Sequence, residues 1–333
     1  MTARWPAWRA KVTDPQDLVY ALALEDLTEA AALFRPEWGR TGGADGYVSL
    51  EVPPGLAYDA AATVAFARRL HDQAGFPNLL VKIPGTPPGL TAMEEAVTAG
   101  IGVNVTLLFS DTHYLRTADA YLRALERRRR AGLDLAVPSV ASLFISRWDA
   151  AADPLLPSAL HTSLGLAMAQ KTYASHLRLL SDQRWQALAG AGARPQRVLW
   201  ASTSAKNPDL PGTCYLGRLA APDTIDTIPE KTLLAFADHG TPDDRLEPGY
   251  AAAERAIAAA ADAGLDADAL AEHLQRHGAG AFTADWTALL TTIKEKAANS
   301  RAKAAGMETS AVLSSAVLSR LSLFSQYKRY FST

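Results

Sequence analysis

The chain has 333 residues, 48% hydrophobic and 20% charged, and a net charge of −2 from 33 basic and 35 acidic side chains. That is globular composition with ample length for a large core, and the near-neutral balance gives no global pull toward nucleic acid or an anionic membrane. No stretch reaches the ~18 apolar residues of a membrane span, residues 1–10 hold no apolar core of signal-peptide length, and the single Cys214 excludes an intrachain disulfide and fits a reducing, cytoplasmic setting.

Short apolar runs alternate with longer helical patterns along the chain. The first run, Tyr47–Val52, predicts a strand, followed by a helix over Asp59–Ala74 that starts on an Asp cap. A strand over Leu79–Ile83 and a helix over Leu90–Ala99 come next, then a strand over Val103–Leu108 and an amphipathic helix over Thr112–Arg130. That helix ends on Arg127-Arg128-Arg129-Arg130, which reads as a solvated helix end where cations suit the dipole. Val137–Leu143 is the fourth strand, Ser163–Ala189 one long helix, Val198–Ala201 the fifth strand and Thr224–Ile228 a weaker sixth. Helical patterns at Glu230–Asp238 and Tyr250–Ala263 follow. The alternation predicts an α/β fold with a parallel sheet and right-handed crossovers, its functional groups at the C-terminal strand ends. Asn299–Thr333 is Ser/Leu-rich with weak periodicity. The expected division is therefore a barrel-like domain over residues 1–298 and an appended tail over 299–333.

Polar side chains are scarce in these strands, and each has a bland reading of its own. Lys82, in Asn78-Leu-Leu-Val-Lys-Ile-Pro84, can be a strand-end lysine that snorkels to solvent. Glu51 can cap a helix, Asn104 and Thr106 can satisfy backbone groups, and Ser139 and Ser142 can be small packing residues. Asn104 and Thr106 nevertheless share a strand face at spacing two, and Ser146-Arg147 and Ser202-Thr-Ser204-Ala-Lys206 stand just past later strands. A carboxylate, a lysine, an amide, hydroxyls and cations on one face suit one chemistry. A buried amine condenses with a ketone to an imine, an electron sink that lets an adjacent C–C bond break. A carboxylate with a hydroxyl positions the water, and Arg147 and Lys206 suit a phosphate. Cys214, in a loop-like stretch without a histidine signature, is not expected to act as a nucleophile.

The same segments carry a family resemblance. Tyr47-Val-Ser-Leu-Glu-Val52, Asn78–Pro84, Val103-Asn-Val-Thr-Leu-Leu-Phe-Ser110, Ser139-Val-Ala-Ser-Leu-Phe-Ile-Ser-Arg147, Leu199–Pro208 and Asp223-Thr-Ile-Asp-Thr-Ile-Pro229 resemble transaldolases of the longer bacterial form, in order, from about residue 18 to about residue 296. The resemblance implies a (β/α)8 TIM barrel of the class I aldolase type, with no metal and no organic cofactor. It implies transfer of a dihydroxyacetone unit from a ketose phosphate (sedoheptulose 7-phosphate or fructose 6-phosphate) to an aldose phosphate in the pentose-phosphate pathway. Lys82 would be the Schiff-base lysine, and Glu51 and Thr106 would hold the catalytic water. Asn104 and Ser142 would bind the dihydroxyacetone moiety, and Arg147, Ser204 and Lys206 the phosphate. Lys206 follows the longer bacterial form, where other branches have Arg. The implied partners are sugar phosphates, with neither nucleic acid nor a membrane; the oligomeric state is open.

The match stops short at one end. Two strands that open the family's barrel have no counterpart before Tyr47, one carrying a proton-shuttling aspartate and the other a Ser-Asn-Pro motif. Asp14 and Asp17 precede Leu18–Phe34, which resembles the helix leading to the Glu51 strand, and Asp26 lies inside it. None stands at a matching strand end. The expectation is thus about six of eight strands, a shortened or misassigned start, and impaired transfer. The alternatives are a noncatalytic sugar-phosphate-binding pseudoenzyme and a Schiff-base aldolase that releases dihydroxyacetone.

Overall fold

The computed structural model describes residues 14–205, 207, 210–240, 246 and 250–306, with side chains through residue 296. The chain divides into two compact units, Ser49–Gly280 and Met1–Val48 with Ala281–Thr333.

In the larger unit the six expected strands appear as β1 (Val48–Glu51), β2 (Leu79–Pro84), β3 (Val103–Leu108), β4 (Ser139–Phe144), β5 (Arg197–Ala201) and β6 (Thr224–Asp226). They form one sheet in sequence order, and the pairings from β2 to β6 are parallel. Helices follow the strands: α2 (Ala60–Ala74), α3 (Pro87–Thr98), α4 (Asp111–Arg130), α5 (Ser146–Ala152), α6 (Leu164–Ser181), α7 (Gln183–Ala189), α8 (Leu216–Leu219), α9 (Glu230–His239) and α10 (Tyr250–Asp262). Alternation of this kind with β1 and β6 at the two edges is an incomplete (β/α)8 arrangement.

The register sorts the strand residues onto two faces. Val81, Ile83, Val103, Val105, Ala141, Leu143, Val198 and Trp200 alternate with the polar set and are essentially fully buried. Lys82 pairs with Asn104 and Pro84 with Thr106, so these polar residues share the other face. Between Val105 and Leu108 the register slips by one residue, a bulge late in β3.

Caps start the helices where the sequence puts small oxygen-bearing side chains. Asp59 accepts from the Ala62 amide, and Thr86 accepts from Gly89. Ser110 accepts from the His113 amide. The helix expected over Ser163–Ala189 is instead two. Asp182, extended at ψ 142°, ends α6 and caps α7 by accepting from the Arg184 amide at 2.8 Å. The arginine run is also more than a solvated end. Arg128 is buried and donates to the carbonyls of Asp134 (2.7 Å) and Thr98 (2.8 Å), tying α4 to the end of α3. Arg127 forms a forked contact with Glu95.

The smaller unit holds α1 (Pro15–Arg40), which extends beyond the expected Phe34 and through Pro36. Asp14 caps it and Asp17 lies in its first turn, local roles that account for both carboxylates. Tyr20 and Trp286 pack with ring centroids 5.7 Å apart. The last helix, α11 (Ala267–Gly306), crosses the boundary expected at residue 298, and the rest of the tail lies outside the described residues. Among the described residues no helix is long and apolar enough to cross a membrane, and no group of three or more His, Cys, Asp or Glu could hold a metal ion.

Candidate active site

The polar face gathers residues from four consecutive strands. Lys82 on β2 extends its Nζ to 3.0 Å from Glu51 Oε2 on β1, with the lysine side chain 20% exposed and the glutamate 6%. Lys82 is therefore neither sealed in the core nor free in solvent. Removing an ammonium from water costs several kcal/mol, and an adjacent carboxylate offsets part of that cost.

Asn104 on β3 spans the lysine's strand. Its Nδ2 donates to Ser49 Oγ on β1 at 3.2 Å, and Ser142 Oγ on β4 donates to its Oδ1 at 2.7 Å. The two bonds orient the amide and join β1, β3 and β4 on the face that carries Lys82. Two positions on, Thr106 is fully buried and its Oγ1 has no hydrogen-bond partner among the described residues. An unmet buried hydroxyl costs about 1–3 kcal/mol, so this oxygen is suited to a small polar guest.

Arg147 is the second residue of α5, half-buried, with its guanidinium 5.2 Å from the Phe144 ring centroid. Ser204 lies past β5, its Oγ 3.5 Å from Thr232 Oγ1. The segments bearing these two residues are joined, because the Ser146 amide donates to the Ser202 carbonyl (2.9 Å) and their hydroxyls lie 3.0 Å apart. Lys206 lies outside the described residues. A guanidinium and a hydroxyl just past β4 and β5, with the Lys82 amine on β2 of the same sheet, are the group types that a phosphorylated carbonyl compound would need.

The model of the transaldolase/fructose-6-phosphate aldolase family matches residues 3–293. A protein named transaldolase from Parafrankia sp. (strain EAN1pec) is 42% identical over 292 residues, covering 85% of this chain and 79% of the relative. The one from Thiobacillus denitrificans is 43% identical over 293 residues (86% and 82%), and that from Trichodesmium erythraeum 36% over 298 (84% and 78%). The chain belongs to the transaldolase/fructose-6-phosphate aldolase family. It is a transaldolase-type transferase in class, and the match begins nearer the amino terminus than residue 18.

Within this transaldolase-family fold some polar residues do other work. Ser139 faces the apolar side, donates to the Val103 carbonyl and accepts from Gln196 Nε2, so it is structural. Burial pushes the Cys214 thiol up to about 11, which disfavours the thiolate a nucleophile needs. Ser49, a further polar residue of this face, carries its signal in the spacing: it stands two residues before Glu51 on β1. Asp149 gave no signal. It is buried, takes the Tyr215 hydroxyl at 2.7 Å and the Gly165 amide at 3.0 Å, and burial raises its carboxyl above the usual range.

Proposed function

We propose that this chain moves a dihydroxyacetone unit from a ketose phosphate to an aldose phosphate through an imine on Lys82. The observation that carries the reading is the 3.0 Å approach of Lys82 Nζ to Glu51 Oε2, on the strand face that also carries Thr106, whose hydroxyl has no partner among the described residues. Glu51 can accept a proton from Nζ, leaving the lone pair to attack the ketone carbon. The carbinolamine loses water to form the protonated imine, and Glu51 with Thr106 hold that water. Electrons of the adjacent C–C bond then flow into the imine as the neighbouring hydroxyl gives up its proton, and the aldose phosphate leaves. The enamine attacks the acceptor aldehyde, the new alkoxide takes a proton, and water returns to free Lys82. Asn104 and Ser142 bind hydroxyls of the three-carbon unit; Arg147, Ser204 and Lys206 hold the phosphate.

The step that breaks the C–C bond needs a base for the departing hydroxyl proton. Asp14, Asp17 and Asp26 lie at the cap and within α1, not at a strand end. We propose that transfer by this chain is slow for that reason, and that its setting is cytoplasmic pentose-phosphate chemistry. The family description also names fructose-6-phosphate aldolase, which favours release of dihydroxyacetone as the second reading. Incubation with fructose 6-phosphate, with and without erythrose 4-phosphate, separates them. Product that depends on the acceptor supports transfer; free dihydroxyacetone at the same rate in both supports release; neither product from folded protein contradicts both.

A further inference from the structure

We propose that Gln275, on α11, is a positioning residue for the Thr106 hydroxyl; this rests on the imine reading above. The side chain is 3% exposed, and its Nε2 donates to two main-chain carbonyls, Gly85 O at 3.0 Å and Leu107 O at 2.9 Å. Both acceptors bear on Thr106. Leu107 is the next residue, and the Gly85 amide donates to the Thr106 carbonyl at 2.7 Å. The result is a closed clamp: Thr106 O to Gly85 N–H, Gly85 O to Gln275, and Gln275 to Leu107 O.

The place clamped is irregular. Val105 pairs with Ala141 and Leu108 with Leu143, so Thr106 and Leu107 together stand opposite Ser142. Leu107 takes φ 59°, a left-handed conformation unfavourable for a branched side chain. A bulge of this kind re-aims side chains and disturbs the ladder, and the two-donor amide of Gln275 reaches two carbonyls at its edge. The fit is close on both sides. A Cβ at Gly85 would come within 2.3 Å of Leu108 Cδ2 and 3.1 Å of the Thr106 carbonyl. A Cβ at Gly278, one turn beyond Gln275, would come within 3.0 Å of Leu107 Cδ2 and 3.6 Å of Arg147 Nη1. A glutamine that only docked the helix would have no need to select these two oxygens. Without it the bulge can relax, and Thr106 Oγ1 loses its aim at the water shared with Glu51.

The test compares wild type, Gln275→Leu, Thr106→Val, the double variant and Gln275→Glu, each first shown to be folded by its thermal transition. The substrate is fructose 6-phosphate, and the imine is trapped with borohydride. Gln275→Leu should lower kcat roughly tenfold to a hundredfold with KM within about threefold, as expected for a misplaced group rather than lost binding. It should raise the trappable imine fraction at steady state, because return of water slows. The double variant should be no worse than the poorer single one, because both changes act through one hydroxyl. Gln275→Glu should regain activity relative to wild type below about pH 6, where the protonated carboxyl can donate again. Losses that multiply in the double variant, or a folded Gln275→Leu within twofold of wild-type kcat, would overturn the role. If Gln275→Leu does not fold, the Gln275→Glu pH profile decides, a profile parallel to wild type counting against. Wild type that traps no imine sinks the imine reading itself, an outcome visible before any variant is compared.

Discussion

Lys82 Nζ and Glu51 Oε2 stand 3.0 Å apart on adjacent strands, the amine one-fifth exposed and the carboxylate almost covered. The exposed side of the lysine gives a substrate carbonyl an approach. In the proposed imine chemistry the covered side would fix the proton acceptor before substrate arrives, so little rearrangement would be needed at the first step.

The pair predicts a stability pattern. Lys82→Met takes the ammonium from beside a buried carboxylate and should cost roughly 1–3 kcal/mol, below the full buried-pair value because the lysine is partly solvated. Adding Glu51→Gln removes the stranded charge and should recover most of that loss. Urea unfolding of the two single variants and the double variant measures it. A double variant destabilised by the sum of the single changes would show that the two groups do not interact.

The Ser142–Asn104–Ser49 chain predicts a binding effect. Ser142→Ala removes the donor that orients the Asn104 amide and should cost about 1 kcal/mol of stability. Its KM for fructose 6-phosphate should rise about tenfold, more than its kcat falls. Ser49→Ala should do less, since Ser49 is exposed and water can replace it. Steady-state kinetics on both variants checks the order.

Arg147 predicts a difference between two cations. Arg147→Lys keeps the charge but loses the planar fork and its contact with the Phe144 ring. KM for the phosphorylated ketose should rise about tenfold, while turnover of unphosphorylated fructose, measured alongside, should not change. Equal losses on both substrates would argue against a phosphate role.

Asp226 predicts a pH effect on stability. Burial raises its carboxyl from the ordinary 3.8 to about 7, and the nearby Thr203 hydroxyl, which donates to the Thr227 carbonyl, offsets this only in part. Between those values the unfolded chain has lost a proton that the folded chain keeps, so the folded state grows less stable as pH rises from about 4 to about 7, then levels off. Asp226→Asn should abolish that decline and leave the variant more stable than wild type at pH 8, by roughly 1–2 kcal/mol after allowing for partial exposure. Thermal melts at pH 5 and pH 8 give the comparison; a variant with the wild-type slope would refute it.

The strands were legible because each is a short apolar run bounded by Gly, Pro or polar turns, and the residues breaking those runs, Glu51, Lys82, Asn104, Thr106 and Ser142, share one face in the structure. What escaped was set by tertiary contacts. The extra residue at Leu107 leaves no mark in a sequence that reads Val-Asn-Val-Thr-Leu-Leu. Arg128 looks like its three neighbours in the run until Thr98, at the end of α3, and Asp134 supply carbonyls for it. Gln275 lies in an Ala-rich, polar stretch with little amphipathic signal, and its two acceptors are more than 160 residues away. Asp182, by contrast, was an ordinary N-cap residue that could have split the long helix on sight.

The most direct measurement is mass spectrometry of the folded protein after borohydride reduction in the presence of fructose 6-phosphate. A single reduced adduct is expected, located on Lys82 and abolished by Lys82→Met. An adduct on another lysine, or none at all in folded protein, would contradict the imine reading.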